Sequence, residues 1–211
     1  MSVTVIVPAY KPGEKFSRLM ESLKKQTLLP DKVIIMNTEK KFWKDSMING
    51  VKGAEVFHIT KAEFDHGKTR ALAAEMTDSE FLVYFTQDAV PADDHTLEYL
   101  LKPFRDPQIG AVYGRQLPDK DCRLIESYTR SFNYPGTSRK KTKADLPALG
   151  IKTFFCSNVC AAYRKSIYEE MGGFSFPAIF NEDMVMAGNM IKKGYAVFYA
   201  ADARVIHSHN Y

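Results

Sequence analysis

The chain has 211 residues, of which 45% are hydrophobic and 26% are charged, a composition that can build one globular domain with its own core. The formal net charge of +4 is modest and predicts a solvated basic surface, not a nucleic-acid-binding protein. Three irregularly spaced cysteines argue against a disulfide scaffold or a zinc site, so we expect free thiols in a reducing cytoplasm.

The first half of the chain alternates between two kinds of hydrophobic pattern. Short apolar runs rich in β-branched residues predict strands, and apolar residues at helical spacing lie between them. This alternation predicts an α/β fold with a mostly parallel sheet flanked by helices. The predicted strands are 3–7, 33–36, 56–59, 81–85 and 110–113, and the predicted helices are 16–23, 68–76 and 97–104.

The second half begins with a less regular stretch. A helix is expected near residues 123–132, followed by a loop rich in Pro, Gly, Lys and Thr up to residue 149, which we interpret as a lid or acceptor loop. The basic run at 139–143 is expected to be flexible, with a lipid-binding patch as the alternative. Later patterns predict helices at 165–171 and 181–193 and strands at 196–199 and 204–207.

Polar side chains follow four of the predicted strands. They stand at residues 8–10, 37–39, 65–70 and 86–89. In open α/β sheets, ligands bind beyond the carboxyl ends of the strands, so we expect these residues to meet at one cleft. The chain contains neither a Rossmann glycine fingerprint nor a P-loop sequence, which argues against a dehydrogenase or a P-loop enzyme.

Three ordered motifs resemble those of glycosyltransferase family 2. Residues 5–10 read VIVPAY, Asp88 ends the fourth predicted strand, and residues 181–183 read NED ahead of the Gly-Tyr pair at 194–195. The resemblance implies a GT-A fold, with a Rossmann-like mixed sheet, and inverting transfer of a sugar from a nucleotide. It implies a single catalytic domain over 1–211. Since family members usually continue into a C-terminal helical segment, it also implies that such a segment is missing.

Within that family, three segments resemble bacterial rhamnosyltransferases that build cell-surface polysaccharides. Residues 64–67 read FDHG, residues 85–89 read FTQDA, and residues 205–211 read VIHSHNY. The resemblance implies transfer of L-rhamnose from dTDP-rhamnose to a polysaccharide or lipid-linked glycan acceptor. It also implies a cytoplasmic enzyme in peripheral contact with the inner face of the cell membrane.

Three alternatives remain open from the sequence. The first is a UDP-hexose transferase of the same family. The second is a non-catalytic module that binds nucleotide sugars, suggested by an incomplete acidic motif. The third is a nucleotidyltransferase on a similar sheet, although the chain lacks the Gly- and Arg-rich loop that such an enzyme needs near residue 10.

A Mg²⁺ or Mn²⁺ site is implied at the end of the fourth strand. Family members usually present Asp-X-Asp there, whereas residues 86–88 read TQD, so Asp88 is expected to be the carboxylate ligand. Magnesium commonly takes one or two protein carboxylates together with phosphate oxygens. His207 is the expected second ligand, and His209 is a weaker candidate. The alternatives are that Asp88 caps a turn and that His207 is an ordinary core or surface residue.

Asp183 is the predicted catalytic base. Inverting transfer needs a carboxylate that accepts the proton of the acceptor hydroxyl as it attacks the anomeric carbon. Glu182 is expected to assist, in acceptor binding. The alternative is that the acidic pair opens a helix and offsets its dipole, and the two functions are compatible.

The resemblance also implies a set of residues that contact the donor nucleotide and its phosphates. Glu39 stands near a position where the family usually has Asp, and Arg70 could instead be a solvated helix residue. The implied donor-binding residues are Pro8, Ala9, Tyr10, Glu39, His66, Gly67, Arg70, Gln87 and Asp88.

Overall fold

The computed structural model describes residues 1–119 and 122–207. Within them, nine strands form one sheet in the order β3-β2-β1-β4-β8-β6-β9-β5, with β7 paired to β9. The strands are β1 Val3–Tyr10, β2 Lys32–Thr38, β3 Ala54–Ile59, β4 Phe81–Phe85, β5 Val90–Pro91, β6 Ile109–Leu117, β7 Arg139–Lys141, β8 Cys160–Arg164 and β9 Ala196–Ile206.

Seven α-helices and five short 3-10 segments connect these strands in the described part of the chain. None of the described helices has the length and apolar character needed to cross a bilayer. The α-helices are α1 Glu14–Leu23, α2 His66–Glu75, α3 Thr96–Leu101, α4 Leu124–Asn133, α5 Leu146–Leu149, α6 Lys165–Glu170 and α7 Glu182–Lys193. The 3-10 segments are Lys40–Phe42, Asp45–Ile48, Lys102–Arg105, Lys143–Asp145 and Gly150–Phe154.

Helices cover both faces of the sheet, and successive residues of a strand alternate between the two cores. Val5 and Val33 face a core with α1 and α3, whereas Ile6 and Ile34 face a core with α2 and α7. Strands β1, β2, β3, β4, β6 and β9 point the same way, so their carboxyl ends lie at one edge. The predicted α/β fold with a mostly parallel mixed sheet is confirmed.

Two strand predictions need correction. The sequence pattern did not identify β8, a five-residue strand that reads CAAYR and pairs antiparallel with both β4 and β6. The strands predicted at 196–199 and 204–207 are one strand, β9. Its pairing with β6 jumps from Gly114–Ala200 to Arg115–Arg204, and the bulged residues between, which include the exposed Asp202, resemble a turn in sequence.

The prediction of a loop up to residue 149 with a flexible basic run at 139–143 is wrong for residues 139–149, because they form β7 followed by helical turns. Contacts of the Lys141 side chain stabilise this segment. This side chain is 3% exposed, and its ammonium lies 4.7 Å from the centre of the Tyr113 ring. It donates hydrogen bonds to the carbonyls of Lys152 and Phe155. Burial lowers the pKa of Lys141 from 10.5 to about 8.

We predict that the unfolding free energy rises relative to that of a Lys141→Met variant as the pH increases from 8 to 10. The native pKa of about 8 lies below the reference value of 10.5, so the unfolded chain holds more protons in this range and rising pH favours the native state. The relative gain should be about 2 kcal/mol in urea denaturation. Parallel stability curves for the two proteins would contradict the buried position of this lysine.

Candidate active site

A cavity of about 410 Å³ lies at the edge of the sheet where the parallel strands end. Residues from β6, α2, α4, α7 and the segments before β8 and α7 form its walls. Five residues singled out from the sequence line it, although they are far apart in the chain. They are His66, Arg70, Glu182, Asp183 and His207.

Asp88 contacts this cavity through His207. Its Oδ2 lies 3.4 Å from Nε2 of His207, and the histidine side chain is 4% exposed. Burial by itself raises the pKa of Asp88, but hydrogen bonding and charge attraction with His207 outweigh it and hold that pKa well below its usual value. Asp88 is therefore an ionised carboxylate beside an imidazole, and the two residues predicted as metal ligands lie together.

Two residues on the other side of the imidazole hold His207 in place. Its Nδ1 lies 3.0 Å from Oε1 of Gln116 and 3.1 Å from Nη1 of Arg130. Arg130 also donates to the same Gln116 oxygen at 2.6 Å. When Nδ1 accepts from Arg130, Nε2 carries the proton and donates to Asp88, which agrees with the lowered pKa of that carboxyl. When Nδ1 instead donates to Gln116, the lone pair of Nε2 is available to a cation held beside Asp88. This supported orientation is typical of metal-ligating histidines.

The donor set fits a hard divalent cation that is shared with a phosphate-bearing ligand. A carboxylate and an imidazole can bind Mn²⁺ or Mg²⁺ when phosphate oxygens and water complete the shell. Within residues 1–119 and 122–207, no group of three or more His, Cys, Asp or Glu side chains gathers as a larger metal site. His209 lies outside the described residues.

Asp183 stands in the first turn of α7 and faces the same cavity. Its Oδ2 accepts a hydrogen bond from the backbone N–H of Asn158 at 2.9 Å, and its Oδ1 accepts one from the N–H of Met184 at 2.8 Å. Burial raises the pKa of Asp183, the neighbouring carboxylate of Glu182 adds to the rise, and the N–H donors oppose it. A half-buried carboxylate with a raised pKa is a stronger base than a solvated one.

Glu182 points away from solvent and pairs with Arg70. The closest oxygen–nitrogen distance is 3.2 Å, and the side chains are 5% and 6% exposed. The same Glu182 oxygen accepts a hydrogen bond from Nδ2 of Asn158 at 3.0 Å. Arg70 is therefore not a solvated helix residue. Asn158 holds both acidic residues at once, Glu182 through its side chain and Asp183 through its backbone.

The FDHG motif at 64–67 joins α2 to the loop that precedes α7. Asp65 caps α2 by accepting from the N–H of Lys68 at 2.8 Å, and its second oxygen accepts from the N–H of Ala178 at 2.7 Å. At Gly67, a Cβ atom would lie 2.1 Å from the carbonyl oxygen of Ser175. The motif therefore fixes the segment 175–178, which leads directly to Asp183.

The other predicted donor-binding residues lie at strand ends outside the lining of this cavity. The side chain of Gln87 exchanges two hydrogen bonds with the backbone of Tyr10, at 3.0 and 2.9 Å. Glu39 accepts from the N–H of Lys61 at 2.9 Å and pairs with Lys41 at 3.2 Å. Gln87 thus ties the end of β1, with Pro8 and Ala9, to the turn that carries the candidate metal ligand.

The sequence did not identify four residues that position the others in the site. They are Asp65, Gln116, Arg130 and Asn158. Gln116 lies beyond the end of the predicted strand 110–113, and Arg130 lies within the helix expected near 123–132, where no motif marks either residue. Asn158 carries no motif either. Asp65 was noted as part of FDHG, and its position just before a helix was the usable signal, because Asp is a favoured helix cap.

Comparison with known proteins decides the family. The model of the family described as "Glycosyl transferase family 2" matches residues 4–172. The chain belongs to glycosyl transferase family 2. The enzyme class predicted from the sequence is confirmed, and the chain is a glycosyltransferase.

This glycosyltransferase is 43% identical over 212 aligned residues to the "O-antigen chain rhamnosyltransferase RfbN" of Salmonella typhimurium strain LT2. The alignment covers 100% of the chain and 68% of that relative. The resemblance to bacterial rhamnosyltransferases noted in the sequence is thereby confirmed.

Solved structures of low sequence identity share the fold. S. aureus TarS 1-349 in complex with UDP-GlcNAc superposes with a TM-score of 0.74 at 16% identity, covering 100% of this chain and 59% of that one. A mannosyltransferase from Pyrobaculum calidifontis, in complex with GDP-Man and Mn²⁺, gives a TM-score of 0.71 at 18% identity, covering 97% and 56%. The GT-A fold expected from the motifs is confirmed.

We predict that Gly67→Ala lowers both the stability and the transfer rate of this glycosyltransferase. The added methyl group would push the 175–178 segment away from α2, at a cost of about 1–3 kcal/mol in unfolding free energy. Urea denaturation and a transfer assay measure the two effects. Gly13→Ala is the matched control, because a Cβ there meets nothing within 4 Å. Equal stability of the two variants would contradict the tight packing at Gly67.

Proposed function

We propose that this enzyme transfers L-rhamnose with inversion from dTDP-rhamnose to a glycan of the O-antigen type, carried on a lipid at the inner face of the cell membrane. The similarity to RfbN supports the sugar and the acceptor class. The observation that carries the proposal is that Asp183 and His207, with Asp88 against it, share one cavity. A proton acceptor and a phosphate-binding group can then stand on either side of one sugar carbon.

Asp183 is proposed to take the proton in the transfer step. The acceptor oxygen forms a bond to the anomeric carbon while the bond from that carbon to the diphosphate oxygen breaks. The hydroxyl proton passes to the carboxylate of Asp183, and the nucleoside diphosphate leaves with the bonding electrons. Since burial raises the pKa of Asp183, the carboxylate accepts the proton more readily than a solvated aspartate would.

Glu182 is proposed to assist as a positioning residue. Its carboxylate holds the guanidinium of Arg70 inside the cavity wall and accepts from Asn158. The backbone of Asn158 in turn directs Oδ2 of Asp183. An acceptor contact by Glu182 stays a prediction, and its buried position favours the indirect role.

Asp88 and His207 would hold a Mg²⁺ or Mn²⁺ ion in this proposal. Such an ion, when bound, stabilises the negative charge of the departing diphosphate. The complex of the related fold from Pyrobaculum calidifontis with GDP-Man and Mn²⁺ supports a divalent metal.

The nucleotide is proposed to lie along the ends of β1 and β2. Tyr10 is 39% exposed there and packs edge-on against Phe42 at 5.8 Å between ring centres, which leaves an aromatic surface for a base. The hydrogen bonds between Gln87 and the backbone of Tyr10 hold that surface near Asp88. The remaining members of the proposed donor-binding set are Pro8, Ala9, Glu39, His66, Gly67 and Arg70.

Asp183→Asn is expected to reduce dTDP release from dTDP-rhamnose in the presence of acceptor by a factor of about 10²–10⁴, because one positioned base is lost. The dissociation constant for the donor should stay unchanged. In the unaltered enzyme, the rate should fall as the pH drops through the raised pKa of Asp183, since protonation removes the base. Asp202→Asn, at an exposed position on β9, is the control.

An unchanged rate in Asp183→Asn would remove the base assignment. If the parent protein binds a full set of donors but turns over none of them, the result favours the alternative, a non-catalytic module that binds nucleotide sugars.

Donor choice is tested by calorimetric titration with dTDP-rhamnose, UDP-glucose, UDP-GlcNAc and GDP-mannose, each with Mg²⁺, with Mn²⁺ or with EDTA. We expect the tightest binding for dTDP-rhamnose and a loss of affinity in EDTA, because the diphosphate then loses its counter-ion. Tighter binding of a UDP-hexose would reassign the donor within the same family. Equal affinity in EDTA would contradict the metal site.

A further inference from the structure

Helix α4 contacts the rest of the molecule through one narrow face. Arg130 on that face is 8% exposed and bonds to Gln116 and His207 in the cavity wall. On its other side the helix presents large apolar side chains that are 61–89% exposed: Leu124, Ile125, Tyr128 and Phe132. Leaving so much apolar surface in water is unfavourable and marks an interaction site.

These apolar residues form a stripe on the helix. At 3.6 residues per turn, their positions span about 100° of the helix circumference. The centre of the stripe lies opposite Arg130. One helix therefore turns a polar face to the candidate metal ligand and an apolar face outwards, and about 10 Å of helix diameter separates the two.

The segment that contains this helix has an excess of basic residues, of which Arg130 and Lys141 are buried and Arg139 and Lys140 pair with carboxylates. Residues 122–153 contain seven basic and two acidic residues. Their net charge of +5 exceeds the +4 of the whole chain. The ammonium of Lys152 lies 4.5 Å from the centre of the Phe132 ring. Two more exposed apolar side chains, Leu146 and Ile151, belong to the same segment.

A second cavity lies beside this surface. Its volume is about 270 Å³, and Phe132, Arg139 and Lys152 are among the residues at its walls. Phe155 lines both this cavity and the catalytic one. The basic cavity beside α4 and the catalytic cavity are therefore separated by the side chain of Phe155.

We propose that α4 and its basic surroundings bind the surface of an anionic phospholipid bilayer. A helix with an apolar stripe and flanking cations lies in the interface with its apolar face inserted among the lipids. Anionic headgroups attract the excess of Lys and Arg. This inference deepens the proposed function and rests on it for one point, that an acceptor carried on a lipid lies in the same leaflet, about one helix diameter from the cavity.

Charge disfavours a second copy of this chain as the partner. Such a copy would present the same excess of basic residues and repel it. The exposed face combines apolar side chains with the ammonium of Lys152. This combination matches the hydrocarbon and headgroup layers of an anionic leaflet.

The test is co-sedimentation of the full chain with vesicles of phosphatidylcholine alone or with about one third phosphatidylglycerol. We expect binding to the anionic vesicles, weaker binding in high salt, and a roughly tenfold loss of partitioning for the double variant Leu124→Gln/Ile125→Gln. Leu29→Gln is the control, since Leu29 is also exposed but lies far from α4 in the chain.

Three outcomes would overturn the proposal. They are equal binding to both kinds of vesicle, unchanged binding of the double variant, and a dimer in solution that the double variant abolishes. Circular dichroism and dTDP-rhamnose titration of the double variant show whether its fold and donor site are intact.

The same measurements separate this inference from the proposed function. Asp183→Asn should bind vesicles like the parent while losing transfer. If the parent binds anionic vesicles through α4 but does not bind dTDP-rhamnose, the donor assignment is wrong and the proposal that α4 binds the membrane is supported.

Discussion

The buried ion pair between Arg70 and Glu182 is the contact on which the site depends. Two acidic residues open α7 side by side, and burying both as unpaired carboxylates would be costly. The guanidinium of Arg70 pairs with Oε1 of Glu182 at 3.2 Å, and Nδ2 of Asn158 donates a hydrogen bond to the same oxygen. Asp183 receives only backbone N–H donors, and burial raises its pKa despite them, whereas His207 holds the pKa of Asp88 down. The environments of the two aspartates differ in the way that their proposed roles require.

This arrangement joins elements that are distant in sequence. Arg70 comes from α2, whose start is capped by Asp65 and fixed to the segment before α7 at Gly67. Arg130 comes from α4 and supports His207. The cavity therefore connects the helix that carries the proposed base, the strand end that carries the proposed metal ligand, and the helix that faces the proposed membrane.

Much of the fold could be predicted because the parallel strands are buried on both faces and read as continuous apolar runs. The ends of β1 and β4 then located Pro8–Tyr10 and Asp88, and the ordered motifs pointed to Asp183 and His207. What could not be predicted depended on tertiary contacts. β8 reads CAAYR, without a β-branched apolar run. The 139–149 segment is stabilised by Lys141, which contacts two carbonyls and an aromatic ring. Arg130 and Asn158 carry no local signal, since their partners are far away in sequence.

The central claim is that one pocket holds the diphosphate at Asp88 and His207 and the sugar carbon in front of Asp183. A crystal structure of the protein with dTDP-rhamnose and Mn²⁺, with anomalous data collected for manganese, tests it most directly. The account predicts an anomalous peak within about 2.3 Å of Asp88 and His207, with the anomeric carbon facing the carboxylate of Asp183. A peak elsewhere, or a sugar whose anomeric carbon faces away from Asp183, would contradict it.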